Sequence, residues 1–256
     1  MRSPDELRQL AEEYLAELAL TPELGELDET MRYALAGGGK RVRPVICLAT
    51  GEAAGAAPET ILPAAAAVEL VHSFSLIHDD LPALDNDELR RGRPSAWAQF
   101  GEANAILAGD ALLAEAFRLA LSYETPAVAR ELAQATLGMI GGQHLDITGA
   151  DTDLAALHRL KTGCLFAASV GCALWAAGVL EGAQGPWRAF GDELGLLFQI
   201  VDDILDGDGY VLEHGADGAR ALSDSAAERA RARLDAIDAD TSSLAEIVSG
   251  LAVRTA

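Results

Sequence analysis

Apolar segments with helical spacing run through most of this 256-residue chain. Alanine, leucine and glutamate are abundant, aromatic residues make up only 5 %, and no stretch alternates between polar and apolar residues as a half-buried strand would. The pattern predicts helices over about 3–19, 21–36, 44–54, 58–80, 100–122, 125–149, 162–180, 196–206, 218–237 and 241–253. We therefore expect an all-α chain, and its 50 % hydrophobic content is enough for one domain with a full-sized core.

Two of the helix starts are marked by short polar sequences. Ser3-Pro4-Asp5-Glu6 is a capping box with proline at the first helical position, and Thr21-Pro22-Glu23 has a similar form. Both are predicted to begin helices.

An acidic segment follows the apolar run of residues 64–77. Asp79 and Asp80 end that run, and Pro82 limits its continuation. Anions at a helix C-terminus oppose the helix dipole by roughly 0.3–1 kcal/mol each, so we expect a cation to bind here. Oxygen ligands of this kind favour Mg²⁺. The alternative is a solvated acidic loop. The carboxylates of the segment are Asp79, Asp80, Asp85, Asp87 and Glu88.

A second acidic cluster interrupts the apolar run of residues 196–205. Asp202 and Asp206 are four residues apart and share a helix face, with Asp203 beside it. Buried carboxylates without partners are costly, so they take up protons or find cations. Two aspartate-rich helices facing one cavity could hold Mg²⁺ together with a substrate diphosphate that carries an apolar tail.

The formal net charge of −21 argues against nucleic acid as a partner. Against this background there are two local basic patches: Lys40, Arg41 and Arg43, and Arg90, Arg91 and Arg93. The first patch follows three glycines, which let a backbone approach an anion closely. The alternative is a glycine helix cap with exposed basic residues. The chain has only two lysines, Lys40 and Lys161.

Four motifs carry a family resemblance. In chain order they are Gly38-Gly39-Lys40-Arg41-x-Arg43-Pro44, Asp79-Asp80-x4-Asp85 with Arg90-Arg91-Gly92, Lys161-Thr162-Gly163, and Gln199-x2-Asp202-Asp203-x2-Asp206. In order and spacing they resemble the signatures of the trans-isoprenyl diphosphate synthases (the polyprenyl synthetase family), and the bacterial farnesyl diphosphate synthases in particular. The resemblance runs from about residue 30 to residue 206.

The resemblance implies the isoprenoid synthase fold over residues 1–256, a single domain of roughly ten or more helices around a central cavity. The implied activity is a condensation of isopentenyl diphosphate with an allylic diphosphate, dimethylallyl or geranyl, to give geranyl, farnesyl or geranylgeranyl diphosphate. Three Mg²⁺ ions per site are implied when diphosphate is bound. A homodimer is implied as well.

The family roles carry over residue by residue. The implied metal ligands are Asp79, Asp80, Asp85, Asp202, Asp203 and Asp206. The residues implied to bind substrate are Lys40, Arg43, His72, Arg90, Arg91 and Phe74. Besides Asp79, Asp80 and Asp202, the residues implied at the reacting groups are Lys161, Thr162 and Gln199. Lys161-Thr162-Gly163 is expected to open an apolar helix whose positive end faces the cavity.

Two positions bear on product length and on closure of the site. Phe74 lies five residues before Asp79, where a ring would act as a floor for the growing chain, and the resemblance makes farnesyl diphosphate the expected product. The family's lysine-bearing loop after the second aspartate motif is missing, because Asp206 is followed by Gly207-Asp208-Gly209 and no lysine lies beyond Lys161.

Two rival functions remain open. A class I terpene cyclase is disfavoured because its second metal motif usually carries Asn and Ser/Thr before Glu. A catalytically weak partner subunit of a heteromeric synthase is made conceivable by the missing lysine loop.

The remaining features bear on location. The uncharged stretch 162–180 is expected to be a buried helix rather than a membrane span, and the polar N-terminus is expected to begin a helix rather than a signal peptide. The three cysteines are widely spaced and are expected to be free thiols. A cytoplasmic location is expected.

Overall fold

The computed structural model describes residues 1–149 and 153–253. The helices are α1 (Pro4–Glu17), α2 (Leu27–Leu35), α3 (Val42–Ala53), α4 (Pro58–Asp79), α5 (Ala96–Phe100), α6 (Glu102–Ala120), α7 (Ala127–Thr148), α8 (Leu154–His158), α9 (Cys164–Ala176), α10 (Gly185–Asp206), α11 (Gly209–Asp235) and α12 (Ser242–Val253). A π-helical turn, Arg159–Gly163, joins α8 to α9 without a break. The all-α prediction is confirmed.

One small antiparallel hairpin accompanies the helices. Its strands β1 (Leu89–Arg90) and β2 (Arg93–Pro94) pair Leu89 with Pro94 and Arg90 with Arg93. The two turn residues Arg91 and Gly92 both have positive φ, 53° and 75°. This is the backbone of the tight hairpin turn whose twist matches that of the strands it joins.

The helices pack around α4 and α9. Both are buried along most of their length, and the buried apolar side chains from Leu7 to Leu251 form one continuous cluster. Among the residues that the structure describes, α4 alone is long and apolar enough to cross a bilayer, and 67 % of its most apolar window is buried by its neighbours. The stretch predicted as a buried helix is confirmed as such in α9, where Cys172 is buried and free.

The two predicted helix starts have different outcomes. Ser3 forms the expected capping box, because its Oγ accepts from the Glu6 amide at 3.3 Å and Glu6 Oε2 accepts from the Ser3 amide at 2.8 Å. The prediction for Thr21 is wrong. The Thr21 amide donates to Glu115 of α6 at 2.9 Å, and only a 3₁₀ turn (Pro22–Leu24) follows before α2. A buried carboxylate from another helix takes the place of the local cap.

The second half of the chain also departs in detail from the prediction. Helix α11 begins at Gly209, directly after α10, and is kinked at Gly215, whose φ is 72° and ψ is 166°. The predicted start near residue 218 is therefore the second part of a longer kinked helix.

Candidate active site

A cavity of about 1050 Å³ lies between α4, α6, α7, α9 and α10. Its wall carries both charged side chains and apolar ones, among the latter Leu113, Met139 and Leu165. Ten of the fifteen predicted site residues border it: Lys40, Arg43, His72, Phe74, Asp79, Arg90, Arg91, Lys161, Thr162 and Asp202. Five do not border it: Asp80, Asp85, Gln199, Asp203 and Asp206.

The two acidic segments meet at this cavity. Asp79 is the last residue of α4, Asp202 lies in the last turns of α10, and both side chains line the same space. Burial raises the pKa of Asp79 to about 6, although the charge of Lys161 acts in the opposite direction. The structure thus holds a partly desolvated carboxylate at the end of an apolar helix, and a bound cation would favour its charged form.

The loop after α4 folds back over the end of that helix. The Asp85 amide donates to the Asp79 carbonyl at 2.9 Å, and the Asp87 amide donates to the Asp80 carbonyl at 3.1 Å. This brings the exposed Asp85 beside Asp79, where its charge contributes to the raised pKa of Asp79.

Asp80 is turned into the protein rather than into the cavity. It is only 3 % exposed, and Arg90 Nε donates to its Oδ1 at 2.9 Å. Burial raises the pKa of Asp80 despite this bond, and the bond in turn raises the pKa of Arg90. Hairpin β1–β2 therefore supplies the counter-ion for the second carboxylate of the pair.

The second aspartate pair is divided in the same way. Asp203 is 3 % exposed, its Oδ1 accepts from Gln199 Nε2 at 2.6 Å, and its Oδ2 accepts from the Tyr210 amide at 2.9 Å. Gly209 has φ of 43°, and a Cβ there would lie 2.0 Å from Asp203 Oδ2. Asp203 thus fixes the start of α11, and Asp206 is exposed.

The basic wall is formed by the N-terminal part of α3 and by the hairpin turn. The Arg91 side chain donates to the Gly38 carbonyl and lies against Gly39, whose φ of 132° favours glycine. Burial and the neighbouring arginines hold the pKa of His72 well below its usual range, so that its ring is neutral.

Arg41 differs from the other cations of this wall. It has left-handed backbone (φ 47°), is 8 % exposed, and its Nη1 donates to Glu69 at 2.5 Å. Its charge is therefore offset within the fold.

Residues 25–218 match the family model described as polyprenyl synthetase. The chain belongs to the polyprenyl synthetase family. It is 46 % identical over 194 residues to the farnesyl diphosphate synthase of Escherichia coli K12, covering 70 % of this chain and 65 % of that protein. It is 44 % identical over 193 residues to the geranylgeranyl diphosphate synthase of Cyanophora paradoxa, covering 70 % of this chain and 64 % of that protein.

A solved structure extends the likeness to nearly the whole chain. A geranyltransferase from Legionella pneumophila superposes with a TM-score of 0.88 at 33 % identity, covering 98 % of this chain and 96 % of that one. This confirms the isoprenoid synthase fold. By contrast, the chain spans a little under two thirds of the length of curated relatives such as the two synthases above.

Lys161 and Thr162 lie in the π turn and not at a helix start. The predicted help from a helix N-terminus is therefore wrong, because α8 precedes the turn without a break. Gly142 of α7 permits the displacement, since a Cβ there would lie 2.4 Å from the Lys161 backbone. The Lys161 ammonium forms an ion pair with Asp146 beside the cavity. Single π turns are frequent at functional sites.

Several further side chains of the cavity were not predicted from the sequence. His78 lies against Gly109, its Nε2 is 3.1 Å from the Ile106 carbonyl, and its ring meets Phe74 edge-on at 4.8 Å between centroids. The signal for His78 was its place directly before the acidic pair. The other unpredicted lining residues include Asp110, Leu113, Met139, Gln143 and His144.

Proposed function

We propose that the protein is a short-chain trans-prenyltransferase that condenses isopentenyl diphosphate with an allylic diphosphate. The observation that supports this most strongly is the cavity that Asp79 and Asp202 share, which basic and apolar side chains also line. A diphosphate with a hydrocarbon tail could use both kinds of side chain. Relatives named farnesyl and geranylgeranyl diphosphate synthase point to the same class of reaction.

The carboxylates fit the magnesium that the family implies. Asp79 and Asp202 are oxygen donors from different helices, and Mg²⁺ is usually held by one or two carboxylates, water and substrate phosphate oxygens. Within residues 1–149 and 153–253, no three acidic, histidine or cysteine side chains form a ready-made metal cluster. This agrees with a site that substrate completes. When bound, magnesium would stabilise the negative charge of the departing diphosphate.

The chain's own residues would divide the remaining work. Lys161, and Arg90 from the hairpin, add positive charge where the allylic C–O bond breaks. Lys40, Arg43, His72 and Arg91 hold the diphosphate of the second substrate. Its double bond attacks the allylic cation and forms the new carbon–carbon bond. The resulting cation then loses a proton from a neighbouring carbon to the released diphosphate. The apolar part of the cavity excludes water from the cation.

Farnesyl diphosphate is the product we propose, because Phe74 lines the cavity and is only 7 % exposed. Helices α4 and α6 are in contact where His78 meets Gly109, so Leu113, one turn further along α6, also lines the deeper cavity. Replacing Phe74 by alanine should lengthen the products beyond farnesyl. Chain lengths measured with labelled isopentenyl diphosphate and Mg²⁺ test this, and unchanged products would exclude Phe74 as the floor.

A second candidate is a catalytically weak partner subunit. One observation favours it: only Gly207 and Asp208 connect α10 to α11, so there is no lysine-bearing loop between these helices. Assaying the purified chain alone separates the two proposals. Condensation with Mg²⁺ supports the enzyme, and no condensation in an otherwise folded protein supports the subunit.

We also propose a cytoplasmic homodimer. Exposed apolar side chains on α6 and α7, among them Leu107 (54 % exposed) and Leu137 (65 %), support self-association. Light scattering on the purified chain tests the dimer, and a monomer at micromolar concentration would exclude it.

A further inference from the structure

Arg43 is partly buried in the cavity wall, and no carboxylate among the described residues lies within ion-pair distance of its guanidinium. Its Nε is buried with no hydrogen-bond partner. Burial lowers the pKa of Arg43 to about 10, although the charges of Glu69 and Asp202 act in the opposite direction. A desolvated charge of this kind is costly unless other contacts support it.

Two aromatic rings supply that interaction. The Arg43 guanidinium carbon lies 4.5 Å from the ring centroid of Phe166 and 5.8 Å from that of Phe198. The two rings are themselves 4.5 Å apart between centroids. A guanidinium within about 6 Å of a ring centroid is attracted by the ring electrons, and more strongly when water is excluded.

The contact differs from those of the neighbouring arginines. Arg41 is held by Glu69, and Arg90 is held by Asp80, so a carboxylate fixes the position of each of these guanidiniums. A neutral ring holds a guanidinium in place and leaves its net charge intact for an incoming anion. Phe198 borders the cavity, but Phe166 is fully buried behind it.

Phe166 is itself held firmly. It lies on α9, and a Cβ on Gly195 of α10 would come within 3.3 Å of the Phe166 Cβ. The close approach of the two helices leaves the ring little freedom, since protein interiors are densely packed.

We propose that Phe166 is a positioning residue that holds the Arg43 guanidinium in the cavity wall for the diphosphate of isopentenyl diphosphate. The proposal rests on the proposed function for the identity of the ligand. A residue outside the cavity lining would then affect substrate affinity through Arg43.

The test is calorimetric binding of isopentenyl diphosphate to the full chain in EDTA, without the allylic substrate. Phe166→Leu should raise Kd about tenfold, the size expected for a desolvated cation–ring contact. Phe190→Leu is the matched control, because Phe190 is equally buried but lies on α10 outside the cavity lining. It should change Kd less than about twofold, the range expected of a core change that leaves the site intact.

Whether the effect of Phe166→Leu on Kd depends on Arg43 is measured by making the same substitution in the Arg43→Met variant. In Arg43→Met protein, Phe166→Leu should have no further effect on Kd. A wild-type Kd in Phe166→Leu, or an equal loss in both backgrounds, would overturn the proposal. If Phe166→Leu does not fold, Phe198→Leu replaces it with an expected rise of about threefold, since its ring is farther from the cation.

The binding readout keeps this inference separate from the proposed function. A wild-type chain that binds isopentenyl diphosphate but does not condense it would contradict the enzyme proposal alone. Inorganic diphosphate, used as a second probe, should show the same loss in Phe166→Leu because the contact concerns only the charged group.

Discussion

The two aspartate pairs, Asp79–Asp80 and Asp202–Asp203, are arranged alike around the cavity, but different groups bond to the inward residue of each pair. In each pair the first residue lines the cavity and the second is 3 % exposed and bonded within the fold. Adjacent residues on a helix point about 100° apart, so one of two neighbours can face the cavity while the other faces the core.

The difference lies in what holds the inward residue. Asp80 is held by the cation Arg90, which also borders the cavity. Asp203 is held by neutral donors, the Gln199 amide and the Tyr210 backbone amide. The first pair is therefore coupled to the positive charge of the active site, and the second pair is coupled to the position of α11.

The largest expected effect is a loss of kcat/KM, which should be much greater for the cavity-facing aspartates than for the inward ones. Asp79→Asn and Asp202→Asn should each lower kcat/KM about 10³-fold, because each removes a charge that faces the reacting diphosphate. The loss of kcat/KM in Asp203→Asn should be at least ten times smaller, since the Asp203 side chain does not border the cavity. Steady-state kinetics with saturating Mg²⁺ measure this.

Asp224→Asn is the control for a change of charge alone, because Asp224 is exposed on α11. Its kinetics should match those of the wild type. Equal losses for Asp202→Asn and Asp203→Asn would contradict the division of labour within the pair.

The next effect is a loss of folding stability when the partner of an inward aspartate is removed. Arg90→Met leaves the Asp80 carboxylate buried without a counter-ion, which should cost about 3 kcal/mol in the free energy of unfolding. Gln199→Met removes one neutral donor while the Tyr210 amide still supports Asp203, and this should cost about 1 kcal/mol. Urea unfolding in EDTA measures both values.

A double variant sharpens this test. Asp80→Asn should restore part of the stability lost in Arg90→Met, because no buried charge then remains unpaired. Arg93→Met, in the same hairpin, is the matched control. A loss in Gln199→Met as large as that in Arg90→Met would show that the two pairs are supported alike.

The sequence was sufficient to predict which segments meet at the site. Apolar periodicity and the two acidic motifs predicted that Asp79 and Asp202 could share a cavity, and the family resemblance implied that Lys40, Arg43 and Lys161 lie there too; all five line it. The first prediction depends on residue type and helix spacing, which are read directly from the chain, and the second depends on the order of the motifs.

Three features could not be predicted from that information. Which aspartate of a pair faces the cavity depends on how α4 and α10 are rotated against their neighbours, a property of tertiary packing. The π turn at Lys161 depends on the contact with Gly142, a residue of another helix. Thr21 does not cap a helix, and its amide and hydroxyl instead donate to Glu115 of another helix, far away in sequence.

The smallest expected effect is a pH dependence of the first pair. Burial raises the pKa of Asp79 to about 6, above the value of an unfolded aspartate. Between those two values the folded protein binds more protons than the unfolded chain, so stability falls as pH rises and levels off above about pH 6. Asp79→Asn cannot ionise and should be the more stable protein at pH 8, by about 1 kcal/mol after allowance for solvent screening.

The measurement is urea unfolding of the wild type, Asp79→Asn and Asp224→Asn in EDTA between pH 5 and pH 8. The stability difference between Asp79→Asn and the wild type should grow over this range, while Asp224→Asn follows the wild type. Because the same substitution is expected to abolish catalysis, a gain in stability would show that the charge of Asp79 is kept for function at a cost to the fold. A wild type that is more stable than Asp79→Asn at pH 8 would mean that protein side chains already satisfy this carboxylate, and the comparison of the two pairs would lose its basis.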